Sequence, residues 1–290
     1  MNLFVFGMGF SAKAAARAVL ERDAEAVVSG TTRSIESAAA LTRQGIGAHI
    51  FDGEKPGATL RPDLLAATHA VFSIAPGAFG DPALLHHRAE LDAAPALRWL
   101  CYYSTVGVYG DFGGAWIDET APLVPRNERS DRRVLAENAW RTYAAERGLP
   151  LAILRLAGIY GPGRSTFDKL RDGTARRTVK PGQVFNRIHV EDIGRVTALA
   201  AEAQLNGTFN LADDEPAPPQ DLVTHAAQML GIEPPPEQDF ATAQMTPMQR
   251  SFYADNKRVS NAAIKQALGI DLLYPTYRDG LAAIFEDEQP

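Results

Sequence analysis

The chain has 290 residues, 46% of them hydrophobic and 22% charged, with a formal net charge of −6. That length suits one elaborated α/β domain or a domain with a smaller appendage, and an acidic balance with no basic run excludes the usual footprint of a nucleic-acid binder. A single cysteine, Cys101, excludes an internal disulfide framework and a cysteine-based zinc site, and its apolar surroundings read as a buried strand.

No stretch approaches the roughly 18 consecutive apolar residues of a membrane span. The apolar start carries no Lys or Arg before it and is broken by two glycines, unlike a signal peptide. A cytoplasmic protein with no membrane partner is therefore expected.

The first twenty residues read as strand, glycine turn and helix. Leu3 to Phe6 is a β-forming run, and Ala12 to Leu20 has the composition and spacing of a helix lying on a sheet. Between them lies Gly7-x-Gly9-x-x-Ala12. Gly7 permits a sharp exit from the strand, Gly9 admits a pyrophosphate to the backbone, and Ala12 lets the helix approach the strand. The helix start offers N–H groups and partial positive charge to phosphates, so Gly7, Gly9, Phe10, Ser11 and Ala12 are candidate cofactor contacts. A plain turn is the competing reading.

A second strand, Ala26 to Gly30, runs into Thr31-Thr32-Arg33-Ser34, where an adenosine ribose would lie. Arg33 between hydroxyls suits the 2′-phosphate of NADP better than the 2′-hydroxyl of NAD, which an acidic residue would hold. Thr32, Arg33 and Ser34 join the cofactor set; alternatively Arg33 is a solvated residue opening the next helix.

Strand and helix signals then alternate. A helix over 35–44 stops at Gly45, and a third strand over 46–51 ends at Asp52, which either meets the adenine amine or is a turn aspartate. A helix over 60–68, a fourth strand over 69–74, the loop Ala75-Pro76-Gly77 beside pyrophosphate and ribose, and a helix over 82–94 follow. A fifth strand over 97–103 delivers Ser104 and Thr105 at its carboxyl end, where open α/β sheets bind ligands. A helix over 128–146 and a sixth strand over 151–156 come next. Such alternation means right-handed crossovers and a parallel sheet.

Later signals are looser. Asp192 reads as the cap of a helix reaching Gln204, with a strand over 207–211, a helix over 222–230, a rigid spacer at Pro234–Pro236 and a helix over 256–268 ended by Gly269. Expected boundaries are a Rossmann core at 1–165 and a small C-terminal substrate-binding region at 166–290, with about 188–212 returning to the core.

Taken together, these motifs resemble the extended short-chain dehydrogenase/reductase superfamily, its NAD(P)-dependent epimerase/dehydratase-like branch. The resemblance rests on Gly7-x-Gly9-x-x-Ala12, Ser104-Thr105-x-x-Val108-Tyr109-Gly110, Glu119-x-x-Pro122-x-x-Pro125, Arg155-x-x-x-x-Tyr160-Gly161-Pro162-Gly163-Arg164, Ile188-His189-Val190-Glu191-Asp192 and Asn210-Leu211-Ala212-Asp213, in that order. It implies a doubly wound Rossmann-type α/β fold, NADP as cofactor with NAD the weaker expectation, a small-molecule substrate, and a homodimer as the expected partner state. It also implies Thr105 at the hydroxyl position of the site and Tyr160 as a wall beside the nicotinamide.

The family's Tyr-x-x-x-Lys pair is not matched. With Glu137 as the glutamate that follows the lysine by four, Arg133 stands at the lysine position and Arg129 at the tyrosine position. Arginine stays protonated, so Arg129 is a poor acid or base. The chain thus resembles atypical members that keep the fold and cleft. Arg129 and Arg133 either clamp an anionic group or are solvated; Tyr109 is a weaker candidate for the missing phenol, and His189 reads as structural. Two functions stay open. One is an NAD(P)-dependent oxidoreductase or epimerase/dehydratase-like enzyme on a small polar substrate, a nucleotide sugar among the candidates; the other is a non-catalytic NADP(H)-binding sensor or partner-binding protein.

Overall fold

The computed structural model describes residues 1–288, which form two compact units. The first comprises Met1–Val108, Asn127–Arg155 and Ile193–Phe209; the second comprises Tyr109–Arg126, Leu156–Asp192 and the segment from Asn210 onward.

The first unit is built on β1 (Asn2–Phe6), β2 (Val27–Thr32), β3 (Gly47–Ile50), β4 (His69–Phe72) and β5 (Trp99–Thr105). With the strands Leu151–Leu156 and Gly207–Leu211 they form a seven-stranded sheet. Its order is 207–211, 151–156, β5, β4, β1, β2, β3. The pairs β1–β2, β2–β3, β1–β4 and β4–β5 are parallel. The chain builds outward from β1 to β3, then returns to the other side of β1 with β4. Loops leaving β1 and β4 therefore diverge, which creates the ligand crevice of a doubly wound sheet. The expected fold class holds.

Helices α1 (Phe10–Arg22), α2 (Ile35–Thr42), α3 (Arg61–Ala66), α4 (Pro82–Ala93) and α5 (Glu128–Arg147) connect or cover the strands. Leu3 to Phe6 are all buried, as a central strand covered on both faces requires. Phe4, Phe6 and Phe72 join one core with Trp140 of α5, the Phe72 and Trp140 rings stacking at 3.7 Å. Each such buried aromatic contributes roughly 1.5–3 kcal/mol. Ala12, Ala15 and Ala16 of α1 are fully buried, and a Cβ at Gly194 would stand 2.6 Å from the Ala14 carbonyl oxygen. Small residues thus let the helix Val190–Glu202 lie against α1. Cys101 is buried in β5, as expected.

The second unit contains short parallel pairs: Gly158–Tyr160 with Arg187–His189, Arg177–Val179 with Glu237–Asp239, and Trp116–Ile117 with Arg258–Val259. Its core gathers Tyr160, Phe167, Tyr277, Leu281 and Ile284. The helix Tyr277–Asp287 starts on a reciprocal cap between Thr276 and Asp279.

Two expectations fail here. The helix over 256–268 is confined to Ala262–Leu268, ended as expected by Gly269 at φ 63°. Its supposed first turns pair with Trp116–Ile117 instead, while Lys257 buries its ammonium on the Gly110 carbonyl at 2.6 Å. Asp192 does not cap a helix, because that helix already begins at Val190. Its carboxylate instead accepts the backbone N–H groups of Leu273 and Tyr274 at 2.7 and 3.1 Å. In both cases a long-range partner outweighs the local preference. No helix among the described residues is long and apolar enough to cross a membrane.

Candidate nucleotide-binding and active site

The glycine turn after β1 is held from β2. Thr31, fully buried, accepts the Gly7 N–H on its hydroxyl at 2.8 Å, and its carbonyl accepts the Met8 N–H at 2.7 Å. Gly7 sits at φ +91°, and a Cβ there would lie 2.8 Å from Ile74 in the loop after β4. Only glycine satisfies both constraints. Gly9 is exposed; a Cβ on it would meet nothing nearer than 4.0 Å, so its outer face is open space. It is the backbone-only cap of α1, which begins at Phe10 with no side chain closing its end. Ser11 and Ala12 are buried in the first turn. The result is a concave, side-chain-free turn at a helix start, the shape and polarity that a pyrophosphate needs. These residues fit a nicotinamide dinucleotide.

Around this cradle, Thr32 ends β2 and Arg33 is exposed with no ion-pair or hydrogen-bond partner among the described residues. Ser34 caps α2 by accepting the Ser37 N–H, which spends its hydroxyl on the helix. Asp52 is exposed after β3 and accepts the Glu54 N–H at 2.9 Å, which holds its carboxyl below the usual range. Ala75 is exposed and Pro76 buried beyond β4, followed by a tight hairpin bridged between Gly77 and Gly80.

At the end of β5 two hydroxyls take different roles. Ser104 is buried and donates to Glu137 at 2.6 Å. Glu137, with no exposed surface, also receives two bonds from Arg155 at 3.0 and 2.7 Å and one from Arg141 at 2.8 Å. Burial opposes its ionisation, but Arg155, Ser104 and Arg141 together hold its carboxyl below the usual range. Thr105, half-buried, accepts the Gly107 N–H at 3.1 Å, which leaves its hydroxyl hydrogen to donate elsewhere. Sequence reasoning passed over Ser130, a buried residue of α5. A Cβ built on Gly107 would meet Ser130 Oγ at 3.1 Å and Thr105 Oγ1 at 3.4 Å, so both oxygens close on the same glycine. Its sequence position, next to Arg129, was the available signal.

The two arginines are separated in environment. Arg129 is exposed on the first turn of α5. Arg133 turns inward, donating to the Tyr103 carbonyl at 2.7 Å and the Tyr102 hydroxyl at 3.0 Å. It thereby ties α5 to β5.

Tyr109, Tyr160 and His189 belong to the second unit. Tyr109 is fully buried and donates to Asn210 at 2.8 Å. Tyr160 is buried with no hydrogen bond to its hydroxyl among the described residues, its ring edge-on to His189, and a Cβ at Gly280 would fall 2.1 Å from that hydroxyl. Burial foremost, with Asp213 and Asp192 adding to it, raises the Tyr160 phenol beyond its ordinary range. Arg187 spends one guanidinium nitrogen on the Phe185 and Ala217 carbonyls at 3.1 and 3.2 Å. Asp213 is buried, neither of its oxygens has a side-chain hydrogen-bond partner among the described residues, and desolvation pushes its carboxyl to about 8 despite the charge of Arg187 and the opposing Glu215 backbone N–H.

Comparison with known proteins places this geometry. The chain is 43% identical to a functionally unknown conserved protein from Silicibacter pomeroyi DSS, whose structure covers 99% of both chains with a TM-score of 0.88. It is 30% identical over 247 residues to Protein YeeZ of Escherichia coli K12, covering 80% of this chain and 84% of that one. It is 28% identical over 229 residues to the 3-diazoavenalumate denitrifying reductase of a Streptomyces species, covering 71% of this chain and 73% of the relative. The model of the NAD dependent epimerase/dehydratase family matches residues 4–212. With its glycine cradle, its doubly wound sheet and that match in hand, the chain belongs to the NAD dependent epimerase/dehydratase family, for which a nicotinamide cofactor is expected.

Proposed function

We propose that the chain is an NADP(H)-dependent oxidoreductase acting on a small polar carbonyl or hydroxyl compound. The observation that carries this reading is the open cradle of Gly7 and Gly9 at the uncapped start of α1, with the unpaired Arg33 just beyond β2. A permanent cation free of carboxylates suits a 2′-phosphate, and NAD is the weaker expectation. Similarity to a denitrifying reductase favours reduction over epimerisation.

When bound, the nicotinamide supplies hydride transfer. The chain's own residues hold and polarise the reacting oxygen. Thr105 keeps its hydroxyl hydrogen for that oxygen because Gly107 occupies an acceptor site on its Oγ1, and Ser130 brings a second hydroxyl to the same place. Arg133 fixes the end of β5 rather than clamping substrate, and the exposed Arg129 remains the group for an anionic substituent.

The test is thermal stabilisation by NADPH, NADP, NADH and NAD at matched concentrations, followed by NADPH consumption across a carbonyl panel. Stabilisation by the phosphorylated pair at least tenfold more potent, falling to parity in Arg33→Ser, is the expected result. No shift from any of the four overturns the reading.

The replacement of the tyrosine and lysine by Arg129 and Arg133 favours a second reading, a non-catalytic NADP(H) sensor. It predicts the same stabilisation, a nucleotide-dependent change in protease sensitivity, and no NADPH consumption by the wild type or by Thr105→Val.

A further inference from the structure

The second unit carries a cleft of about 170 Å³ that the nucleotide site does not use, formed where the helix Tyr277–Asp287 and the segment Leu273–Tyr274 meet the end of the strand Arg187–His189. A cavity of about 150 Å³ suffices for a ligand of benzene size. Its walls combine apolar Leu273 and Ile284 with Tyr274, His189, Glu191 and Asp287.

The chemistry of these walls is one-sided. Asp287 has no ion pair or hydrogen bond among the described residues, and the Glu191 carboxylate lines the same cleft. Both, with Asp192, are near enough to Tyr274 for their charge to add to burial in raising its phenol. A ring face beside carboxylates is an environment for a cation. Metal chelation is a different matter, since no three His, Cys, Asp or Glu among the described residues are arranged to hold an ion. A diffuse organic cation needs no such convergence.

His189 adds an independent requirement. It is 2% exposed and packs against Tyr274, with ring centroids 4.1 Å apart. Its Nδ1 accepts the Glu191 backbone N–H at 3.2 Å, so Nδ1 carries no proton. Desolvation lowers the ring's pKa to about 4 against the opposing Glu191 and Asp287, so the imidazole is neutral and its proton sits on Nε2. That Nε2–H is buried and has no acceptor among the described residues. A lone buried donor is costly, and a ligand acceptor removes that cost.

We propose that this cleft binds a small primary ammonium compound bearing a hydroxyl group, the ammonium between Asp287 and Glu191 over the Tyr274 ring and the hydroxyl oxygen accepting from His189 Nε2. The acidic walls select the cation and the histidine selects the oxygen.

Ethanolamine, ethylamine and ethylene glycol, titrated calorimetrically into the full chain at low salt, separate the two requirements. Ethanolamine should bind saturably in the millimolar range, ethylamine about fivefold more weakly, and ethylene glycol not at all. Asp287→Asn, at an exposed position that leaves the fold intact, should weaken ethanolamine about tenfold, and Glu191→Gln should do likewise. The His189 ring ¹⁵N–H resonance should shift with ethanolamine and much less with ethylamine. Absence of saturable ethanolamine binding overturns the site, as does binding that both substitutions leave unchanged. Equal affinity for ethanolamine and ethylamine overturns the role of His189.

Discussion

Each unit buries an acid with an arginine in its neighbourhood, and the two arrangements are opposite in kind. In the first, Glu137 takes four hydrogen bonds, from Ser104, Arg155 and Arg141, and is held ionised although no part of it meets solvent. In the second, Asp213 takes no side-chain hydrogen bond among the described residues, Arg187 acts on it by charge alone, and the hydroxyls of the nearby Tyr160 and Tyr277 have no partner among those residues either. A low-dielectric interior rewards complete networks and penalises partial ones. The first cluster is therefore a fixed brace joining β5, α5 and the strand Leu151–Leu156. The second holds its charge loosely enough for protonation to decide it.

The largest expected effect comes from breaking the brace. Glu137→Ala strips the buried Arg155 and Ser104 of their shared carboxylate, and should cost about 3–5 kcal/mol in urea unfolding. Asp213→Asn comes next and differs in sign. Because the folded carboxyl titrates near 8 rather than in its usual range, folding takes up a proton between about pH 4 and pH 8, and stability falls as pH rises through that window. The Asn variant should flatten this slope and be the more stable protein above pH 8, by on the order of 3 kcal/mol. A wild-type profile without that slope would place Asp213 among ordinary carboxylates.

A pair of phenols sharpens the comparison. Tyr109→Phe removes a bond that Asn210 needs, and should cost about 1–2 kcal/mol. Tyr160→Phe removes a hydroxyl that bonds nothing among the described residues and crowds Gly280, so its unfolding free energy should lie within about 0.5 kcal/mol of wild type. A Tyr160 variant as costly as the Tyr109 one would reveal a partner for that hydroxyl.

Most of the first unit was legible in the sequence because its elements are long and its chemistry local. Apolar runs such as Leu3–Phe6, the alanines of α1 and the glycine spacing each point to one structure, and the strands and helices fall where those signals stand. The second unit was less legible. Its strands at Gly158–Tyr160, Arg177–Val179 and Arg258–Val259 span two or three residues, too short for a period to show. Their partners lie far along the chain, as do those of Asp192 and Lys257. At the candidate site, the resemblance pointed to Thr105 and to Arg129 and Arg133 in place of the family's tyrosine and lysine. It could not show that Ser104 is committed to Glu137 or that Arg133 turns into the strand, because both depend on side-chain direction. Ser130 escaped notice for the same reason.

The contact between Tyr160 and Gly280 sets a constraint on how this sequence can drift. Any side chain at 280 collides with the phenol, while a smaller residue at 160 opens space beside position 280 that a side chain there could enter. The two positions, 120 residues apart, thus behave as one heritable unit. Among descendants of this chain, alanine at 280 should arise only after the ring at 160 has been lost, and the reverse order should be rare.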